Sequence, residues 1–267
     1  MTGSRWFAAG LIAALAVTIL FLTLPVIAIF VNTSPGDLIS SLGDQASIDA
    51  LRLSLETSLI ALAIILAVGT PAAYLLATRE FRGRALLTTL VELPLVMPPA
   101  VAGIGLLAAL GPRGIIGDPL DLHLVLETAG VVVALTFVAS PFYVRQAQAA
   151  FGSLDPALVE ASRTLGVGEA RTFARVAIPT AMPGLAAGAA LAWGRALGEF
   201  GATLMFAGSL RGVTQTAPLA IFERFATDFP AALALSAVLV AISGALLLGI
   251  KLMSGPGPFA RARPRSH

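Results

Sequence analysis

From Trp6 to Val31 the chain carries no charged side chain at all. A helix needs about 20 apolar residues to cross the hydrocarbon of a bilayer. This run is long enough for that and too long for the core of a secretory leader. A segment so apolar must be buried in a large core or placed in lipid, and composition decides between the two. Of the 267 residues 57% are hydrophobic and 12% charged, whereas a soluble domain keeps its surface wet with about 25% charged residues. With a mean hydropathy of +0.89, the chain lacks the polar groups to cover itself. Its solvent is lipid.

Five further apolar runs follow: Thr57 to Ala77, Leu93 to Leu110, Thr128 to Val144, Pro183 to Ala207 and Pro230 to Ile250. The pattern predicts an all-α, polytopic membrane protein with six transmembrane helices. A single transmembrane domain is expected over 1–251, followed by a basic, Gly- and Pro-rich tail, 252–267, expected to be disordered. Six crossings put both termini on one side of the membrane. The segments on that side hold twelve lysines and arginines and the opposite loops four. Cytoplasmic loops carry the excess of basic residues, so both termini are expected in the cytoplasm, in a multi-pass protein of the plasma (inner) membrane.

Several chemistries are excluded early. The formal net charge is only +2, and the basic residues sit in short loops beside apolar runs, which suits lipid anchoring and not nucleic acid. There is no cysteine, which removes disulfides, thiolate metal sites and cysteine nucleophiles. His123 and His267 make no cluster, so no metal site is expected. An intramembrane hydrolase would need a nucleophile with a partner deep in a helix, and no membrane-embedded aspartate or mid-helix histidine is present. A P-loop needs a lysine followed by Ser or Thr, but the only lysine, Lys251, lies between Ile250 and Leu252.

One stretch does not suit lipid: "LDPALVEASRTLGVGEARTFARVAIPTAMPG", Leu154 to Gly184, within a polar insert over 145–182. Asp155 is placed to cap a short helix, Pro156 suits its first turn and Gly166 its stop. Leu158, Ala161 and Leu165 recur at i, i+3 and i+7, one apolar stripe. Gly168 opens a second helix carrying Phe173, Val176 and Ala177, which Pro179 is expected to end. Such a piece is too short to be stable alone and must pack on something. A DNA-reading helix-turn-helix is disfavoured by Asp155, Glu160 and Glu169, which dilute the charge that phosphates need.

Glu160-Ala161-Ser162, three residues, Gly166, nine residues and Val176-Ala177-Ile178-Pro179 resemble the EAA loop of ABC-importer permeases. Ser162, Val176 and Ile178 stand where that pattern has alanine, isoleucine and leucine. The resemblance implies a type I ABC importer fold and a homodimer. It also implies two cytoplasmic ATP-binding subunits and an extracytoplasmic oxyanion-binding protein. It places the first insert helix in a cleft of the ATP-hydrolysing subunit. Asp155, Leu158, Glu160, Ala161, Leu165 and Gly166 become ATPase-coupling residues, Glu160 as a polar contact and Gly166 as a tight turn. The chain itself is then a non-catalytic subunit without a cofactor, with ATP and Mg held by the partner.

The stretches "WGRALGEFGATLMFAGSLRGVTQTAPLAIF" (Trp193 to Phe222) and "FRGRALLTTLVELPLVMPPAVAG" (Phe81 to Gly103) resemble the molybdate permease family. This implies import of molybdate or tungstate, with sulfate or thiosulfate import as the alternative and an ATP-independent transporter or channel as a further rival. Arg195 and Glu199 are expected four apart on one helix face, with Thr203 another four on. They are either a neutralising pair that fixes packing or a means of drawing a dianion along a wet path. Pro98 and Pro99, with Pro94, mark either a kink or a gate.

Overall fold

The structure is a computed structural model that describes residues 3–254, all regular elements of which are helical. The helices are α1 (Gly3–Val31), α2 (Pro35–Gly43), α3 (Gln45–Thr78), α4 (Arg84–Val96), α5 (Pro99–Leu110) and α6 (Thr128–Gly152). Then come α7 (Pro156–Thr164), α8 (Glu169–Thr172), a π turn (Phe173–Ala177), α9 (Ile178–Leu197), α10 (Gly201–Ala207), α11 (Ala217–Thr227) and α12 (Phe229–Ser254). Most of the tail lies outside the described residues; its first three, Leu252 to Ser254, continue α12.

α3, α6 and α9 pack along one another to form the main core. Its buried side chains are largely small: Ala61 and Ala73 of α3, Ala139 and Ala147 of α6, Ala181, Ala192 and Ala196 of α9. Lipid gives helices no hydrophobic reason to associate, so close backbone approach and interhelical hydrogen bonds must hold them. Gly69 makes room for Tyr143, since a Cβ there would come within 3.0 Å of its ring. The Tyr143 hydroxyl shares a 2.6 Å hydrogen bond with the Thr70 hydroxyl, and Trp193 Nε1 donates to Ser58 Oγ at 3.0 Å. By contrast α1 touches little beyond α12 and buries none of its apolar run, as a helix bathed in lipid would.

Three of the expected runs change shape. α3 begins at Gln45, well before Thr57, because the Asp44 carboxylate accepts the Ser47 N–H at 3.1 Å and caps it. Its 34 residues extend about 51 Å, more than the roughly 30 Å of hydrocarbon. The charges that seemed to delay it pair off along the helix, Arg52 with Glu56 at 2.6 Å. Leu93 to Leu110 is not one straight crossing: the chain bends by 118° between α4 and α5. Pro98 and Pro99 supply no N–H to bridge the turn. Pro183 to Ala207 is likewise interrupted, with Gly198, Glu199 and Phe200 outside any helix.

The segment that holds the bent pair still traverses the bundle once. The ends of α3 and α6 lie together, with the rings of Tyr74 and Phe151 5.2 Å apart. Thr128, at the start of α6, bonds Val213 at the opposite end of the bundle. The chain must therefore traverse the bundle between Thr78 and Thr128. With the five unbroken apolar helices this makes six crossings.

Candidate coupling surface and intramembrane site

The insert is held at the end of the bundle where α3 and α6 terminate. The Asp155 carboxylate accepts the N–H of Ala157 at 2.9 Å and starts α7. One face of α7 turns inward, where Ser162 is buried and shares a 2.8 Å hydrogen bond with the Thr172 hydroxyl. Gly166 has φ +72°, a left-handed turn that glycine adopts without strain. Arg79, just past the end of α3, pairs with Glu169 at 2.5 Å. The rings of Tyr74, Phe151 and Phe173 cluster beneath, with centroids 4.7 to 6.2 Å apart.

Pro179 does not end the second insert helix. α8 runs through the π turn into α9, so that Glu169 to Leu197 is one continuous helix of 29 residues. A proline interior to an α-helix collides with the carbonyl four residues earlier. Here that carbonyl belongs to Arg175, inside the wider π turn. Such turns commonly sit at functional sites. The insert is thereby joined rigidly in sequence to a membrane-crossing helix, which local spacing did not reveal.

The predicted apolar stripe is left largely open by the described residues. Leu158 is 45% and Leu165 81% exposed, and Ala161 is exposed between them. Glu160 is exposed as well and has no hydrogen-bond or ionic partner among the described residues. Beside the stripe a groove of about 450 Å³ opens between α6, α7 and α9, lined by Gln146, Ser153, Asp155, Leu158 and Gly184. All six residues expected at the coupling contact thus lie on the small projection beyond the bundle. Its outward side carries the apolar stripe beside exposed Glu160, although it projects beyond the lipid-facing helices.

Arg195 and Glu199 do pair, Nη2 to Oε2 at 2.6 Å, but not on one helix. Glu199 lies past the end of α9, and Thr203 belongs to α10, so the three do not form a continuous face. Glu199 is 1% and Thr203 0% exposed, leaving Arg195, at 26% for its side chain, as the member that reaches a surface. Thr203 Oγ1 is buried without a partner among the described residues. The contact of Arg195 with Glu199 Oε2 is an ion pair. The break at Pro98 and Pro99 meets the break at Gly198 to Phe200 directly. A Cβ on Gly201 would lie 2.8 Å from Pro99 Cβ, and one on Gly103 2.7 Å from the Ala202 carbonyl.

At the opposite end a polar lattice closes the bundle. Arg224 of α11 bonds Asp44 and, at 2.7 Å, the Ser47 hydroxyl, while Arg211 bonds Glu223 at 2.7 Å and Gln215 bonds the same carboxylate. The bond from Arg224 holds the Asp44 carboxyl below the usual carboxylate range, and the bond from Arg211 does the same for Glu223. Sequence reading missed this lattice; Asp44 three residues before Ser47 was the available capping signal.

Comparison with known proteins adds to this geometry. The family model described as "Binding-protein-dependent transport system inner membrane component" matches residues 69–254. The probable transport system permease protein NifC of Clostridium pasteurianum is 38% identical over 247 residues, 90% of this chain and 86% of that protein. The molybdenum transport system permease protein ModB of Mycobacterium tuberculosis is 38% identical over 235 residues, covering 87% and 89%. The molybdate/tungstate transport system permease protein WtpB of Pyrococcus abyssi is 32% identical over 257 residues, covering 95% and 98%. Among solved structures, a bacterial ABC transporter that imports the polysaccharide alginate superposes with a TM-score of 0.75. It does so at 17% identity, covering 94% of this chain and 96% of its own. The inward-facing MetNI methionine ABC transporter gives 0.63 at 17% identity, covering 82% and 97%. These two share the fold.

Proposed function

The chain belongs to the inner-membrane components of binding-protein-dependent transport systems, and from that premise we propose that it is the permease subunit of an ATP-driven importer of molybdate or tungstate. The substrate class rests on relatives named for molybdenum, molybdate and tungstate transport that match nearly the whole chain. No observation favours sulfate or thiosulfate, or transport without ATP. The structural observation that carries the reading is the exposed stripe of Leu158, Ala161 and Leu165. It is an apolar surface on a projection beyond the bundle, left largely uncovered by the described residues.

An ATP-hydrolysing subunit docks on that stripe, and Glu160 supplies the polar contact at its edge. The permease works as a homodimer, with two such subunits on the cytoplasmic side and an oxyanion-binding protein on the outer side. Both termini share the cytoplasmic side with the insert. ATP and Mg are held by the partner, and this chain holds no cofactor. Closure of the ATPase moves α7, the continuous α8–α9 helix carries the displacement into the membrane, and the bundle exchanges inward- for outward-facing states. Arg195 and Glu199 act as a neutralising pair where α9 breaks off, and neither is assigned a contact with the anion.

ATP is needed because a dianion entering a negative-inside cell works against about 4.6 kcal/mol per 100 mV. The test is uptake of molybdate and of sulfate by proteoliposomes holding permease, ATPase and binding protein. ATP-dependent molybdate uptake that excess sulfate does not suppress is expected. Preferential sulfate uptake would overturn the substrate assignment, and uptake without the ATPase would overturn the coupling.

A further inference from the structure

Glu199 is the one acidic side chain among the described residues that is fully buried. It sits in the gap between α9 and α10, and each of its oxygens serves a different helix. Oε1 accepts the N–H of Ala202, in the first turn of α10, at 2.7 Å. Oε2 lies 2.6 Å from Nη2 of Arg195, in the last turn of α9. α10 in turn is seated on α5, Gly201 against Pro99 and Gly103 against Ala202, with no room for a Cβ at either glycine. Ala102 and Leu106 of α5 share a core with Ala202 and Phe206 of α10 and with Ala134 and Val138 of α6, while Ala207 at the end of α10 joins the core around α3 and α9. The Glu199 carboxylate therefore bridges the helix that grows out of the insert and the α5–α10 pair directly, across three residues of non-helical backbone.

We propose that Glu199 is a positioning residue for the transport cycle. It transmits displacement of α9 to the α5–α10 pair, and so sets how much anion moves per ATP hydrolysed. A charged side chain suits this task better than a neutral one. Bonds to a carboxylate are about twice as strong as neutral ones. Opening the link inside the membrane would also leave two unpaired charges, so it stays closed through the stroke. Without it the break at Gly198 to Phe200 would absorb the motion.

This inference rests on the importer reading above. Its test is the ratio of anion imported to ATP hydrolysed in proteoliposomes holding the whole assembly, using whichever of molybdate and sulfate the wild type carries. In Glu199→Ala, ATPase co-purification is expected to persist and hydrolysis to change less than about twofold, while the ratio falls about tenfold. The double variant Arg195→Gln/Glu199→Gln keeps an acceptor for the Ala202 N–H and leaves no lone charge. It is expected to recover the ratio to within about threefold of wild type. An unchanged ratio in Glu199→Ala overturns the proposal. So does loss of assembly and hydrolysis in both variants, or a double variant no better than the single, which would make Glu199 a packing residue. A wild-type assembly that couples neither anion to ATP refutes the importer reading itself, which separates the two failures.

Discussion

At Gly103 one methyl group separates contact from collision. A Cβ there would meet the Ala202 carbonyl oxygen at 2.7 Å and Met205 Cβ at 2.6 Å, whereas Gly105, two positions on, has nothing within 4 Å. Gly103→Ala is expected to lower stability by about 1–3 kcal/mol through overpacking. Gly105→Ala is expected to be neutral or slightly stabilising. Thermal unfolding of the purified protein in detergent compares the two. Tyr143→Phe removes the bond to Thr70 while keeping the ring packed on Gly69. Hydrogen bonds between membrane helices are worth about 0.6 kcal/mol on average, so only a small drop is expected. A loss of several kcal/mol would mean that the hydroxyl does more than join α3 to α6.

The insert sets two faces of one short helix to different tasks. Ser162 is buried against Thr172 of α8, whereas Leu165 is open and Leu158 lines the edge of the groove. Leu158→Asp and Leu165→Asp are therefore expected to leave the unfolding temperature unchanged while cutting ATPase co-purification at least about tenfold, a loss near 1.4 kcal/mol. Gly166→Trp is expected to stay in the membrane yet lose co-purification. The left-handed turn disfavours any side chain there, and open space around it points the indole away from this chain. Retained co-purification in all three variants would remove α7 from the interface. The elements also show why proline is a poor guide to breaks. Pro25, Pro71, Pro141 and Pro183 lie inside intact helices, while Pro98 and Pro99 accompany a 118° bend.

For the whole molecule, the two ends differ in what closes them. One end carries the projecting insert; the other is tied by Asp44, Arg211, Glu223 and Arg224. Both carboxyls titrate below their ordinary values in the folded protein. Their contribution is thus fully present above the unfolded values, about pH 4, and is lost as pH falls through the lower folded ones. The Asp44 and Glu223 side chains are 43% and 45% exposed, so solvent screening keeps each pair's worth small. The unfolding temperature is expected to be insensitive to these groups from about pH 5 to 8 and to fall below about pH 4. Arg224→Gln should flatten that acid limb. An unaltered limb would show that other carboxylates govern it.

The amino-acid order alone determined that lipid is the solvent, that the chain crosses it six times, and where the one polar projection lies. Each of these properties sums over many residues or rests on short-range spacing, so no single contact can overturn it. It did not determine that α8 runs unbroken into α9, that Glu199 leaves the helix of Arg195, or that two helix breaks meet face to face. Only packing decides such matters. A proline or glycine permits a bend, but the neighbour that fills the bend (Pro99 against Gly201, Ala202 against Gly103) comes from about a hundred residues away in sequence.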